Sequence, residues 1–78
     1  VELVLVTRQG CHLCDQALAL LRELGHDPHL VDVDADDELF RLYDWRVPIV
    51  LADGLVVAEG HISRATLEEA LKRSGREP

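Results

Sequence analysis

Apolar residues fill Leu3 to Val6 without a polar break and then recur at spacings of three and four from Leu13 to Leu24. This change of period separates a strand from a helix. Val1 to Thr7 suits a short central strand buried on both faces. The positions Leu13, Ala17, Leu18, Leu20, Leu21 and Leu24 form one face of an amphipathic helix over His12 to Leu24, and Gly25 stops it. The turn Gly25-His26-Asp27-Pro28 releases the chain into a second strand, His29 to Asp34. Asp34 or Asp36 caps a short helix with Leu39, Phe40 and Tyr43 on its apolar face, which ends near Asp44. Asp37 and Glu38 in its first turn favour the helix dipole. Pro48 opens the run P-I-V-L-A, Asp53-Gly54 is a two-residue hairpin signal, and L-V-V-A-E returns. Ser63 caps a last helix carrying Ala65, Leu67, Ala70 and Leu71, and Gly75 to Pro78 reads as a frayed tail.

The expected order is therefore β-α-β-α-β-β-α, an α/β arrangement in one domain spanning residues 1–78. Strands one and two, joined by a helix, must be parallel, and the hairpin antiparallel. Fifteen acidic residues against eight basic ones give a net charge of −7, with no Lys/Arg cluster. That balance argues against a nucleic-acid partner, whose phosphates require positive charge. The apolar runs fall short of the roughly 20 residues that cross a bilayer, and V-E-L-V-L-V does not read as a signal peptide. A monomer in the cytoplasm, away from membranes, is the expectation. Two cysteines are too few for a secreted disulfide framework, so in a reducing compartment the pair points to catalysis or metal binding.

Those two cysteines stand in T-R-Q-G-C-H-L-C, at positions 11 and 14. Zinc would need two further ligands, and His26 and His29 are the candidates. The intervening segment is helical and the histidines are too closely spaced for a finger, so exposed turn and strand-edge positions suit them better. Alternating Asp32, Asp34 and Asp36 resemble the start of a calcium loop, but Asp37 stands where glycine is required and Tyr43 where the bidentate glutamate belongs. A strand edge and a helix cap account for them, and no metal site is expected. The redox reading fits the placement. Cys11 falls after a buried strand and at the start of a helix, where free backbone N–H groups and the positive end of the dipole favour a thiolate. Cys14 lies one turn later on the same face and can close a disulfide with it. Arg8 either adds positive charge near Cys11 or is an isolated surface arginine, and Asp15 opposes a thiolate.

Strand, Cys-x-x-Cys, helix, and a later Val47-Pro48 before an antiparallel strand together resemble the glutaredoxin branch of the thioredoxin superfamily, over nearly the whole chain. The chain looks similar to the short glutaredoxin-like proteins of bacteria, in which C-H-L-C-D follows a first strand and V-P-I-V-L precedes an Asp-Gly hairpin. The resemblance implies a thioredoxin-like fold, a four-stranded mixed sheet flanked by three helices, and a dithiol-disulfide oxidoreductase. It implies that Cys11 is the nucleophile and Cys14 the resolving cysteine. It also implies a cis bond before Pro48, with the Val47 backbone as the edge that pairs with substrate. Arg8 and His12 join Val47 and Pro48 as candidate substrate-binding residues, His12 tuning the thiolate when protonated. Disulfide-containing proteins or small molecules are the implied substrates, no cofactor is bound, and glutathione or a reductase donates the electrons. Two departures stand out. His12-Leu13 replaces Pro-Tyr between the cysteines, and Glu59-Gly60-His61-Ile62-Ser63 replaces the Gly-Gly-x-Asp-Asp stretch that holds glutathione. Glu59 would place negative charge where an anionic tripeptide docks.

The rival reading is a thioredoxin-fold binding module with redox-idle or metal-binding cysteines, since a fold does not certify a function. Trp45, the one tryptophan, stands three residues before Pro48 on the loop expected to face the cysteines. Half-buried packing is the expectation for it, and a docking surface beside the disulfide the alternative.

Overall fold

Five residues without a charge, Leu3–Thr7, form β1, and both of its edges are paired. The computed structural model of the chain describes residues 2–73. Its sheet has the order β2-β1-β3-β4, with β2 at His29–Asp32, β3 at Ile49–Ala52 and β4 at Leu55–Glu59. β1 runs parallel to β2 and antiparallel to β3, and β3 runs antiparallel to β4. The helices are α1 (His12–Glu23), α2 (Asp37–Tyr43) and α3 (Arg64–Leu71). This is the thioredoxin-like α/β fold, a four-stranded mixed sheet with three helices. Among the described residues no helix is long and apolar enough to cross a membrane.

Strand alternation sends the side chains of β1 to two cores. Leu3 and Leu5 join Ala17 and Leu21 of α1, Val50 and Ala52 of β3, and Leu67 and Leu71 of α3. Val6 joins Val33 and Ile49 on the other face, where Leu39 and Tyr43 of α2 pack against them. Helices α1 and α3 therefore cover one face and α2 the other. Each fully buried leucine contributes about 1.5–3 kcal/mol relative to an exposed one, and Leu5, Leu21 and Leu67 have no exposed surface.

The boundaries follow local chemistry. β2 stops at Asp32, two residues earlier than its composition suggests, because the Asp32 carboxylate accepts the Asp34 N–H at 2.9 Å and starts a single 3-10 turn, Val33–Ala35. Asp36 caps α2, accepting the N–H groups of Glu38 and Leu39 at 2.9 and 3.0 Å. Phe40 is not a core residue of that helix, being 45 % exposed, and the Arg8 guanidinium lies 5.8 Å from its ring centroid. Asp53 and Gly54 both take positive φ, 52° and 86°, as a tight hairpin turn requires. A register shift beside Val50 lets the neighbours Val57 and Ala58 both reach the first core. Ser63 caps α3 through the Thr66 N–H. The tail Gly75 to Pro78 lies outside the described residues.

One ion cluster ties the end of β1 to the segments around it. The Arg8 guanidinium donates from Nε and Nη2 to the two carboxylate oxygens of Asp34, each at 2.8 Å. It also bonds Asp44, through that residue's carboxylate and its backbone oxygen. The loop after β1, the 3-10 turn and the loop after α2 are thus held by one side chain. Arg8 is therefore not an isolated surface arginine. Its forked geometry onto planar carboxylates is one that a lysine would not reproduce. The hydrogen bonds from Arg8 hold the Asp34 carboxyl below its ordinary value of 3.8, and those carboxylates raise Arg8 further above its own.

Two outcomes are expected. Replacing Asp36 with Ala removes the cap of α2 and should cost about 1 kcal/mol, seen as a Tm drop of about 4–8 °C for a domain of this size. Because Asp34 is depressed in the folded state, its stabilising effect is present above its ordinary pKa and lost as pH falls through the native value. The Tm gap between wild type and Asp34→Asn should be full near neutral pH and close as pH is taken below 3.8. A gap independent of pH would contradict the ionic role.

Candidate active site

β1 delivers the chain into a four-residue turn closed by the Cys11 N–H donating to the Arg8 carbonyl at 3.2 Å. Gly10, third in that turn, has φ +78°, a conformation that side-chain-bearing residues rarely adopt. Cys11 follows as the N-cap of α1, extended at φ −90° and ψ 110°. Its carbonyl accepts the Asp15 N–H at 3.1 Å and its sulfur accepts the Cys14 N–H at 3.1 Å. A sulfur thus occupies the place where a serine or aspartate oxygen usually caps a helix. Cys11 and Cys14 form a disulfide with their Cα atoms 5.2 Å apart, inside the span such a bond bridges. Cys11 is half-buried, whereas Cys14 is 1 % exposed. A thiolate at Cys11 would meet a directed amide and the positive end of a helix of 12 residues, both of which attract an anion.

The remaining sequence candidates distribute around this pair. His12 is exposed, and its Nε2 lies 3.0 Å from the Gln16 amide nitrogen one turn on, along the outside of α1. The Val47-Pro48 bond is cis. Continuing the pairing of Val6 with Ile49 by one residue sets Pro48 across from Thr7, at the sheet end that carries the cysteine loop. Gly60 fixes it there, its N–H donating to the Pro48 carbonyl at 2.8 Å. Among the described residues no hydrogen bond engages the backbone of Val47. A hollow of about 290 Å³ opens behind the pair, with Cys14, Gly10, Leu18 and Leu30 in its wall and Asp15 and Asp32 beside them.

Three features depart from the sequence reading or escaped it. Trp45 is not half-buried but 93 % exposed. Both of its neighbours are anchored: Asp44 to Arg8, and Arg46 by its N–H to the Tyr43 carbonyl at 2.9 Å, which leaves the indole at the tip of the turn. Glu59 is not a free negative charge, because Arg46 grips its carboxylate at 2.6 and 3.2 Å and holds it below its ordinary pKa. Arg46 also lies 5.4 Å from the Tyr43 ring centroid. The pairings Arg8–Asp34, Arg8–Asp44 and Arg46–Glu59 carried no signal in the sequence, as the partners stand 26, 36 and 13 positions apart. For the zinc alternative, α1 runs between Cys14 and His26 and separates them by about 15 Å of helix. Among the described residues no three His, Cys, Asp or Glu side chains gather as a metal would require.

Comparison with known proteins places this geometry. The family model of the glutaredoxin-like domain (DUF836) matches residues 2–72. No curated protein matches the chain by sequence. Among solved structures, the X-ray structure of target protein XcR50 from X. campestris is similar at 30 % identity and a TM-score of 0.83, over 92 % of this chain and 97 % of that one. Protein Ne2328 from Nitrosomonas europaea is similar at 28 % identity and a TM-score of 0.75, over 87 % of each chain. The holo form of glutaredoxin C1 from Populus tremula x tremuloides shares the fold, with 21 % identity and a TM-score of 0.63 over 94 % of this chain and 76 % of its own. With a family model matched across residues 2–72 and a disulfide-forming Cys-x-x-Cys at the start of its first helix, the chain belongs to the glutaredoxin-like family.

Proposed function

We propose that the chain is a thiol-disulfide oxidoreductase of the cytoplasm, working through Cys11 and Cys14 without a bound cofactor. One observation carries the reading: the half-exposed Cys11 sulfur caps α1 and receives the Cys14 amide, with the Cys14 sulfur buried one turn behind. This is the environment of an attacking thiolate backed by a resolving thiol. In the reduced protein, Cys11 thiolate attacks one sulfur of a substrate disulfide. A mixed disulfide forms and the other substrate sulfur leaves as a thiolate that takes a proton from water. Cys14 then gives up its proton and attacks the Cys11 sulfur, releasing the second substrate thiol. Two electrons pass to the substrate and the protein ends as the Cys11–Cys14 disulfide. The hollow beside Cys14 gives that proton a path outward, past Asp15 and Asp32. Val47, with its backbone free beside cis-Pro48, offers the edge on which an extended substrate can pair. Arg8 contributes by fixing the loops, its Nε and Nη2 donors being held by Asp34 and Asp44. An external thiol, glutathione or the dithiol of a reductase, returns the pair to the reduced state.

Iodoacetamide at mildly acidic pH should label Cys11 before Cys14, as the thiolate is the reacting species. Cys14→Ser keeps the attacking thiol and should accumulate mixed disulfides that survive gel electrophoresis without reductant. Cys11→Ser should trap nothing and lose at least about 100-fold in disulfide reduction. Equal trapping by the two variants, or a reversed labelling order, would remove the assignment of nucleophile and resolver.

A further inference from the structure

Trp45 is 93 % exposed, yet its position is fixed from both sides. Asp44 continues the helical conformation of α2 at φ −51° and ψ −42°, donates its N–H to the Phe40 carbonyl and is bound by Arg8. Arg46 is bound to the Tyr43 carbonyl and to Glu59. The turn is therefore pinned, and the indole stands out from it instead of folding back. Leu42, one helical turn earlier at 51 % exposure, stands on the same stretch. Small molecules take concave sites. A convex, preorganised tryptophan is the kind of group that enters a pocket on another macromolecule, where such anchors supply much of the binding energy.

Charge narrows the partner. Arg8 is shared by Asp34 and Asp44, so that cluster is net negative, and Arg46 is cancelled by Glu59. Exposed Asp15 follows Cys14, and exposed Asp37 and Glu38 on α2 outnumber Arg41 on the same helix. An anionic ligand such as glutathione meets Arg8 and Arg46 already held by carboxylates, and Arg41 outnumbered by Asp37 and Glu38 on its own helix. A cationic segment meets unbalanced negative charge. The turn is also continuous with the site, because Arg8 links Asp44 to the loop that starts α1 and Val47 follows two residues after Trp45.

We infer that the turn bearing Trp45 is a docking surface for a disulfide-bearing protein segment that is apolar and positively charged next to its cysteine. The inference rests on the redox reading above and names its substrate class. The segment lies along the Val47 backbone, places an apolar side chain against Trp45 and Leu42, and presents its disulfide to Cys11.

The test uses two synthetic peptides of equal length, each closed by one disulfide, with Leu and Lys flanking the cysteines in one and Ser and Glu in the other, and glutathione disulfide as the small anionic probe. Wild type should reduce the Leu/Lys peptide with a kcat/KM at least about tenfold above that of the Ser/Glu peptide, the difference lying in KM. Trp45→Ala should shrink that ratio severalfold, Trp45→Phe should retain most of it, and added salt should reduce its charge-dependent part. Binding is read separately. In a Cys11→Ser/Cys14→Ser variant the emission of the single tryptophan should shift to the blue and saturate with the Leu/Lys peptide but not with the Ser/Glu peptide. Equal kcat/KM values for the two peptides, with no emission change, would overturn the docking surface while leaving the oxidoreductase intact. Failure to reduce any of the three disulfides would overturn the oxidoreductase, and the emission titration would still decide the docking. Self-association of wild type that Trp45→Ala abolishes would assign the turn to a second copy and overturn the proposed partner.

Discussion

Burial of β1 on both faces is the constraint on which the molecule depends. Its alternation sends Leu3 and Leu5 into one core and Val6 into the other, so a single strand sets the distance between the α1–α3 layer and α2. Pairing on both edges then fixes where the strand ends. That end matters because the chain leaves it through a tight turn straight into Cys11. A truncated side chain in either core would loosen the strand and move the cysteine loop with it, which makes the hydrophobic core part of the chemistry's geometry.

The cysteine loop and the cis-Pro loop come from opposite halves of the sequence and are brought to one sheet end by the antiparallel β1–β3 pairing. Hydrophobic contact alone would leave such loops free to shift. Charge-assisted hydrogen bonds supply direction instead: Arg8 reaches the 3-10 turn and the loop after α2, and Arg46 reaches the end of β4. Both arginines are thereby committed to structure. The electrostatic consequence is an excess of carboxylates around the two arginines, with Arg8 shared by Asp34 and Asp44 and Arg46 balanced by Glu59. Fold likeness gives the scaffold and does not by itself give the substrate.

At the reacting end the same economy is visible in one residue. Cys11 caps α1 with its sulfur, so the group that stabilises the helix start is also one half of the disulfide. The disulfide between Cys11 and Cys14 therefore closes across the first turn of α1. Cys14 is held inside that turn and shielded from solvent, which orders the two sulfurs by access.

Much of this was legible in the sequence because it depends on neighbours along the chain. The change from an unbroken apolar run to a period of three and four identified β1 and α1. The cap of α2 was narrowed to Asp34 or Asp36, the cap at Ser63 and the Asp53-Gly54 turn are local backbone chemistry, and the Cys-x-x-Cys after a buried strand placed the cysteine pair at the start of α1. The sequence reading carried β2 two residues too far, to Asp34, because a local carboxylate-to-amide bond at Asp32 competed with strand pairing and prevailed. It misjudged Phe40 and Trp45, whose size predicts burial although their positions on α2 and its turn face outward. The Arg8 cluster and the Arg46–Glu59 pair had no sequence signature at all, since ion pairing depends on distance in space and any of fifteen carboxylates was a candidate partner. Local patterns of burial and capping are written into the order of residues; the placement of long, charged side chains across elements is settled when the sheet closes.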